Sequence, residues 1–513
     1  MGWLIKALIG IIAFYSLVAN AQLEGSVSFE INKAYKGQAM LLPVPSELIP
    51  INSQFEIFKD GASDSIESEF TILNAWSDSP QREFIRILLI TPQINNTSKA
   101  KYTLRWRQSK RARVKFGLLP KEYRSNSVEY VGPPLLVYPS LAWLQQSILL
   151  HPKVKEHKQD WYVKPQVLYA NYVTDKSLLE KKGYPQTKSS QWLYDRPQAI
   201  FQLYLMTGDI KWLEHGIALN DFYQQNINAK GNFKLRKRKD IKYLMPKGLV
   251  YKYLITGDPQ ALLTIEKLYK SSLSWDPKYT SRRGFWTERN QAAALNNAVS
   301  YWEVTGDRKA KWRIDDIIDA TVSMTFSPEN NWPLRGCPQH SYKSHEGKGD
   351  NTPVCSPWMM ALLGDALWRY YLLTEDERAA SLIDAFGDFV LNFGIYYGDE
   401  KINNSVIPKY IVSMENPNQE KLNQWSDVQH ACDVAALVGK SAYIKQQKNV
   451  DNFMVKELFG ALVKQCRKPY ERLKKENGKR SYWTLKPPRR FGWVYSTTSD
   501  LPWLRYVLLN NDD

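Results

Sequence analysis

The tripeptide Thr-Gly-Asp occurs at 207–209, 256–258 and 305–307, and successive copies are 49 residues apart. An aromatic residue precedes each threonine by three positions, and a weaker fourth copy reads Thr374-Glu375-Asp376. Glycine can end a helix in the left-handed conformation, and the following aspartate can cap the next helix. Each copy therefore predicts a tight turn between two helices. The aromatic residues are Tyr204, Tyr253, Trp302 and, in the fourth copy, Tyr371.

The spacing of this repeat indicates the architecture. A period of 49 residues accommodates two helices of about 15 residues, one tight turn and one longer connection. Residues 140–513 hold enough chain for six such hairpins with long loops. Helical hairpins in this number form an open solenoid or a closed ring, and the irregular insertions between copies favour the ring. The sequence predicts an (α/α)6-type helical toroid over 140–513.

A different pattern covers residues 22–120. Short runs such as 27–31 and 84–90 alternate apolar and polar residues or stay apolar, and turn-forming residues separate them. This pattern is typical of an antiparallel β domain, either a sandwich or a barrel. The basic stretch 99–115 contains Arg105, Arg107, Arg111 and Arg113, and we interpret it as a solvated sheet face. The predicted fold class is therefore α+β multidomain, with the β domain ahead of the toroid.

A motif in the β domain resembles a known group of carbohydrate-active proteins. The sequence WSDSPQREFIR at 76–86, followed by KYTL at 101–104, looks like the strand signature of the RIFT-type β-barrel domain. That domain precedes (α/α) toroids in exo-rhamnogalacturonan-lyase-like proteins. The usual Trp-x-Asp-x-Ser pattern is stretched here by Pro80-Gln81. The resemblance implies a polysaccharide lyase or a relative of one, and it assigns no catalytic residues.

Composition and the N-terminus limit the classes of partner. The 513 residues are 43% apolar and 13% aromatic, which excludes a disordered chain, and the formal charge of +17 favours acidic partners. Residues 1–21 combine Lys6, a short apolar run and Ala19-Asn20-Ala21, as in a cleaved signal peptide. We therefore expect a periplasmic or secreted protein with no membrane span in the mature chain. Export makes nucleic acid an unsuitable partner and favours an acidic polysaccharide or oligosaccharide.

The four cysteines fit an oxidising compartment. Cys337 and Cys355 are 18 residues apart and are predicted to form a disulfide, whereas the pairing of Cys432 with Cys466 is left open. No Cys-x-x-Cys pair exists, and His340 with His345-Glu346 lacks the helical spacing of common zinc sites. The sequence therefore predicts neither a metal nor a cofactor.

The long connections between hairpins are predicted to lie at the end of the ring opposite the tight turns. They run over about 224–245, 274–290, 326–356 and 396–424. Loops on a rigid scaffold commonly carry binding and catalytic residues. Aromatic and charged residues at these positions suit carbohydrate, because a sugar offers an apolar face and many hydroxyls. The predicted substrate-binding residues are Trp192, Asp195, Arg196, Trp286, Glu288, His340, His345, Trp358, Trp425 and Asp427.

Three functions agree with this arrangement. A polysaccharide lyase acting on a uronic-acid polymer needs a base, an acid and groups that neutralise the carboxylate. His430, Tyr194, Arg289 and Asn290 supply that set. A glycoside hydrolase would need two facing carboxylates, for which the candidates are Asp195, Glu288, Glu346 and Asp427. A non-catalytic glycan-binding or cell-surface assembly protein could use the same aromatic residues. For His430, a purely structural hydrogen bond to a neighbouring aspartate is the alternative to catalysis.

Overall fold

The computed structural model describes most of the chain from residue 24 onward. The described residues are 24–76, 83–95, 99–112, 114–117, 134–149, 160–174, 189–236, 238–278, 284, 287–328, 335–343, 351–398, 406–413, 430–475 and 489–509. The predicted signal peptide and part of the 76–86 motif lie outside these ranges. The chain divides into two compact units: Met1–Leu149 with Leu254–Gly257, and Leu150–Tyr253 with Asp258–Asp513.

The first unit contains two sheets packed around one apolar core. One sheet has the order β1-β7-β3-β4 and the other β8-β5-β6-β2-β9. Most neighbours are antiparallel, but β2 with β9 and β5 with β8 are parallel pairs. The strands are β1 (Glu24–Ile31), β2 (Met40–Pro43), β3 (Ser53–Lys59), β4 (Ser65–Ile66), β5 (Ser68–Ala75), β6 (Ile85–Pro92), β7 (Ala100–Gln108), β8 (Lys115–Phe116) and β9 (Leu135–Leu136).

The resemblance to a RIFT-type barrel is not confirmed, because the described strands of this unit form two separate sheets. Trp76 is buried at the end of β5, where its indole N–H donates to the carbonyl of Val44 and the Arg86 guanidinium lies over its ring. The positions of Trp76 and Arg86 in the motif are therefore explained by their contacts within the β unit. The alternation predicted for the basic stretch holds in β7, where Lys101, Arg105 and Arg107 are exposed between buried neighbours.

The second unit is helical, as predicted. After α1 (Leu141–Gln146), which belongs to the first unit, come α2 (Asp160–Thr174), α3 (Arg196–Thr207), α4 (Ile210–Gln225), α5 (Lys247–Thr256), α6 (Pro259–Ser272), α7 (Thr287–Thr305), α8 (Arg308–Phe326), α9 (Pro357–Thr374), α10 (Glu377–Phe393), α11 (His430–Gln447), α12 (Phe453–Lys475), α13 (Arg489–Thr497) and α14 (Leu501–Leu509). Five described strands of two or three residues lie in the connections: β10 (His340–Ser341), β11 (Pro353–Cys355), β12 (Ile395–Tyr396), β13 (Ile407–Pro408) and β14 (Val412–Ser413).

The Thr-Gly-Asp turns have the predicted conformation. Gly208, Gly257 and Gly306 have φ of 69°, 69° and 70°, and the aspartate after each glycine caps the next helix with its side chain. The fourth copy uses the same geometry without glycine, because Glu375 has φ 55° and Asp376 accepts from the amides of Arg378 and Ala379. The conformation of all four turns therefore depends on contacts between residues that are close in the sequence.

The threonine that recurs in the turns also forms local hydrogen bonds. Thr207 Oγ1 donates to the carbonyl of Leu203 and accepts from the amide of Asp209, and Thr305 and Thr374 make the equivalent bonds. The carbonyl three residues before the threonine accepts the amide that follows it: Gly208 donates to Tyr204 at 2.7 Å.

The odd-numbered helices α3 to α13 form the inner layer of the toroid. α3 contacts α13, which contacts α11, and the series continues through α9 to α7. Asn297 of α7 donates to the carbonyl of Leu244, just before α5, and the rings of Phe201 (α3) and Tyr251 (α5) lie 6.3 Å apart. The ring of inner helices is therefore closed, which confirms the predicted toroid rather than an open solenoid.

Buried ion pairs and two disulfides link elements of this unit. Arg369 of α9 pairs with Glu303 of α7, and Lys440 of α11 contacts Asp365 of α9 at 3.3 Å. The structure contains the disulfide Cys337–Cys355 and also Cys432–Cys466, which joins α11 to α12. Among the described residues, no helix combines the length and the apolar character needed to cross a bilayer.

Candidate functional site

The first turns of the inner helices lie at the end of the ring that carries the long connections. Each tight turn joins the C-terminus of an inner helix to an outer one, so the inner helices all begin at the opposite end. Residues 288–290, predicted to belong to a long connection, lie instead in the first turn of α7. His430 is the first residue of α11, and Trp358 is the second residue of α9.

Five side chains at this end form a closed ring of contacts, here called the rim cluster: Tyr194, Arg289, Trp358, His430 and Trp493. Arg289 Nη1 donates to the Tyr194 hydroxyl at 3.3 Å, and the Tyr194 ring stacks on Trp493 at 4.4 Å. Trp493 contacts His430 at 5.0 Å, and His430 stacks on Trp358 at 5.3 Å. The Arg289 guanidinium lies 5.9 Å from the Trp358 ring and closes the circuit.

His430 is held in one orientation. Its Nδ1 lies 3.2 Å from Asp433 Oδ2, and the Trp493 indole N–H donates to the same carboxylate oxygen at 2.9 Å. Burial raises the pKa of Asp433, and His430 and the indole N–H oppose that rise. Asp433 therefore favours the tautomer with hydrogen on Nδ1, which leaves the Nε2 lone pair available. Nε2 is buried and has no hydrogen-bond partner among the described residues.

The backbone at Tyr194 is strained. Tyr194 has φ 68° and Asp195 has φ 35°, two consecutive non-glycine residues in the left-handed region. Asp195 stabilises this conformation because its carboxylate accepts from the amides of Gln198 and Gly248. A Cβ at Gly492 would lie 2.4 Å from the Tyr194 carbonyl oxygen, so a glycine is needed where α13 approaches. Strain maintained by so many contacts is common at functional sites.

A small cavity of about 60 Å³ adjoins Tyr194 and Arg289. Lys242 and Lys247 also line it, together with Asp365, to which the Lys247 ammonium is bonded. Burial lowers the pKa of Lys242, and the nearby charge of Arg289 lowers it further, while Asp240 opposes the shift. Lys242 and Arg289 thus bring two cationic donors to the cavity wall, where Lys242 is also paired with Asp240 at 2.9 Å.

Several predicted substrate-binding residues make close contacts within the fold. The Trp192 ring stacks on Phe222 at 5.1 Å, with the Arg196 guanidinium 4.8 Å above it, and both residues are buried. Asp195 is the N-cap of α3. Asp195 also lines the cavity beside Tyr194, and the predicted contact of these three residues with substrate stays a prediction.

Glu288 and His340 form a separate buried pair. Glu288 Oε1 lies 2.7 Å from His340 Nδ1, and both side chains are fully buried. Burial raises the pKa of Glu288, and His340 opposes that rise. Both side chains are as deeply buried as His430, and their predicted contact with substrate stays a prediction. Trp358 is equally buried but belongs to the rim cluster.

The remaining predicted residues divide between described and undescribed parts of the chain. Asn290 follows Arg289 in α7, and its amide oxygen is buried with no partner among the described residues. Trp286, His345, Glu346, Trp425 and Asp427 lie outside the described ranges. Sequence reasoning missed Trp493 and Lys242; the sequence does mark the approach at Trp493 by Gly492, but nothing local identifies its partner.

Comparison with known proteins gives only the fold. No family model matches the chain, and no curated protein matches it. The structure is similar to a polysaccharide lyase (TM-score 0.43, 11% identity, 68% of this chain and 99% of that one). It is also similar to an unsaturated glucuronyl hydrolase variant from Streptococcus agalactiae (0.43, 12%, 69% and 93%) and a sugar epimerase from a ruminal bacterium (0.43, 11%, 65% and 98%). Three reaction classes appear among these names, so the likeness defines no reaction for this chain.

Proposed function

We propose that the protein is an exported polysaccharide lyase that cleaves a uronic-acid-containing glycan by β-elimination. The observation that carries the proposal is the state of His430. Asp433 lies at Nδ1, Nε2 has no hydrogen-bond partner among the described residues, and the rings of His430 and Tyr194 both contact Trp493. A base and a hydroxyl acid are thus both held against the same indole.

The charge around the cavity supports an anionic substrate. Lys242 and Arg289 are close enough for the charge of one to lower the pKa of the other. A uronate carboxylate placed between them would relieve this repulsion and would find two donors. The same cations would stabilise the charge that develops on the carboxylate when the neighbouring proton is removed.

The proposed reaction assigns one step to each of these groups. His430 Nε2 accepts the proton from the carbon next to the carboxylate, and the electron pair moves toward the carboxylate held by Arg289 and Lys242. The bond from the adjacent carbon to the glycosidic oxygen breaks as a carbon–carbon double bond forms. Arg289 donates to the Tyr194 oxygen, which leaves the Tyr194 hydroxyl hydrogen free for the leaving oxygen.

Hydrolysis is less well supported by the described carboxylates. The Asp195 carboxylate accepts hydrogen bonds from two backbone amides, and the Glu288 carboxylate is paired with His340. The Asp433 carboxylate interacts with His430 and with the Trp493 indole N–H. Each of these three carboxylates therefore already has partners within the protein. A hydrolase would need Glu346 or Asp427, both outside the described ranges.

Export forms part of the proposal and has two supports. The first is the signal-like sequence at residues 1–21. The second is that all four cysteines of the chain form disulfides, which persist in oxidising compartments.

The test is incubation of the purified full chain with polygalacturonate, alginate and a glucuronate-containing glycosaminoglycan. Elimination produces a conjugated double bond, so we expect growing ultraviolet absorbance with at least one polymer. Reducing ends without that absorbance would indicate a hydrolase and would contradict the proposal. No product from any of the three polymers would also contradict it.

The matched variants are His430→Gln and His215→Gln. Glutamine at 430 keeps a donor for Asp433 but provides no base, so turnover should fall at least about 100-fold. His215 contacts Trp212 on the outer helix α4, with ring centroids 6.0 Å apart, and its replacement should leave turnover unchanged. Equal turnover of the two variants would assign His430 to packing.

A further inference from the structure

A large cleft opens at one end of the β unit, far larger than the cavity beside the rim cluster. Its volume is about 1180 Å³, above the roughly 300–1,000 Å³ of an ordinary ligand pocket. It lies where β1, β3 and β5 begin and β7 ends, so both sheets contribute to its walls. None of the functional assignments above uses it.

Aromatic side chains from both sheets line the cleft. Phe55 of β3 and Phe70 of β5 stack across the gap between the sheets with centroids 5.1 Å apart, and both are only partly buried. Trp106 of β7 lies directly opposite Phe55 in the strand register. A Cβ at Gly25 would lie 2.4 Å from the Trp106 ring, so the glycine allows the indole to cross β1.

The polar groups of the cleft include buried atoms without partners. Ser53 Oγ and Trp106 Nε1 are buried and form no hydrogen bond with any described residue. The other two described tryptophans of the β unit both donate to backbone carbonyls, Trp76 to Val44 and Trp143 to Pro43. An unsatisfied buried donor destabilises a fold, so Trp106 retains a group that a ligand oxygen could satisfy.

Charged side chains of both signs surround these groups. Arg105, Arg107 and Lys115 face Glu24, Glu56 and Glu69 around the opening. The Arg107–Glu24 pair is long at 3.9 Å, and its side chains are 80% and 76% exposed, so little free energy holds it. Both residues can therefore turn toward an incoming ligand.

We propose that this cleft is a second glycan-binding site, which takes an oligosaccharide chain and performs no chemistry. Sugar C–H faces would pack on Phe55 and Phe70, and a sugar hydroxyl oxygen would accept from Trp106 Nε1. Carboxylates and guanidinium groups at the opening match the donors and acceptors of the remaining hydroxyls. The volume suits several linked sugar rings rather than one.

The test measures binding of hexasaccharides from polygalacturonate, alginate and chondroitin to the full chain by calorimetry. All proteins carry His430→Gln, so that no substrate is consumed. Phe55→Ala should weaken binding of at least one hexasaccharide about tenfold. Phe58→Ala is the matched control, because Phe58 lies on the same strand beneath Arg105 and does not line the cleft.

A second pair isolates the indole donor. Trp106→Phe should weaken binding about 2- to 10-fold. Trp76→Phe removes an indole that is bonded to Val44 and should leave binding unchanged. The proposal would be overturned if none of the three hexasaccharides bound. It would also be overturned if Phe55→Ala bound as tightly as Phe58→Ala and Trp106→Phe as tightly as Trp76→Phe. Because these measurements use a chain altered at His430, loss of catalysis and loss of cleft binding are read separately.

Discussion

The two ends of the helical ring are stabilised by contacts of different range. At the tight-turn end, Asp307 caps α8 through the amide of Ala310, and Thr305 bonds within four residues of itself. At the loop end, Arg289 reaches Tyr194 across 95 positions, and Trp493 reaches Asp433 across 60. Local contacts build the scaffold, and distant contacts assemble the rim cluster, so substitutions at the two ends should affect different properties.

The largest expected effect is on turnover at the loop end. Tyr194→Phe removes the proposed acid and keeps the ring on Trp493, so kcat should fall about 100-fold or more. The control is Tyr301→Phe near the tight turns, where the ring stacks on Tyr269 at 4.7 Å. Turnover should be unchanged in the control. A similar kcat for the two variants would contradict the assignment of Tyr194.

At the tight-turn end, the expected effect is on stability alone. Gly208→Ala places a Cβ at φ 69°, and no atom lies within 4 Å of that Cβ, so the cost is backbone strain. The free energy of unfolding should fall by about 1–2 kcal/mol in a urea titration, with kcat unchanged. An unchanged urea midpoint would contradict the prediction, because it would mean that the conformation of Gly208 does not contribute to stability.

The two ends should also differ in the pH dependence of stability. Burial raises the pKa of Glu288 above 4.5, so the folded state binds this proton more tightly than the unfolded state. Stability should therefore fall as pH rises from 4.5 through the folded pKa, by at most about 1.4 kcal/mol per pH unit. Glu288→Gln should remove that slope in urea titrations at several pH values. If the free energy of unfolding of Glu288→Gln fell more steeply with rising pH than that of the original chain, the predicted direction of the effect would be wrong.

Asp376 at the tight-turn end should give the opposite slope. Burial opposes the shift, but Arg378 and two backbone amides lower the pKa of Asp376 below 3.8. Its stabilising contribution is present above 3.8 and is lost as pH falls through the folded pKa. Asp376→Asn should flatten the acid limb of the same titrations, and an unaltered acid limb would contradict this reading.

The smallest effect is a gain in stability at the degenerate turn. Glu375 occupies the left-handed region at φ 55°, where the other copies have glycine. Glu375→Gly relieves strain but adds unfolded-state entropy, so we expect a net gain of about 0.5 kcal/mol. Differential scanning calorimetry should show a slightly higher melting temperature. A lower one would mean that the Glu375 side chain contributes more than its strain costs.

The same contrast explains what could be predicted from the sequence. The turns and the toroid follow from short motifs, because Gly208, Asp209 and Thr207 interact within a few residues of one another. The β unit was predicted from alternation, although its parallel pairs and its separation into two sheets depend on long-range register. The motif resemblance suggested a RIFT-type barrel, which the two described sheets do not confirm.

Within the site, residue type and chain position together did not determine which residues meet in the rim cluster. Tyr194, Arg289 and His430 were selected from the sequence, and the structure brings them together. Trp192 and Arg196 had the same composition and position, but Phe222 on α4 covers the Trp192 ring. Which aromatic residue is covered by a neighbouring helix depends on packing between distant segments, and no local pattern reports it. Trp493 was missed for the same reason.

The central claim is that the rim cluster catalyses elimination, and mass spectrometry of the products tests it most directly. If the chain is a lyase, the masses of the two fragments sum to the mass of the intact oligouronide, and one fragment carries an unsaturated end. His430→Gln should release neither fragment at a comparable rate. Fragments whose masses sum to the substrate plus one water, or equal cleavage by the His430→Gln variant, would contradict the account.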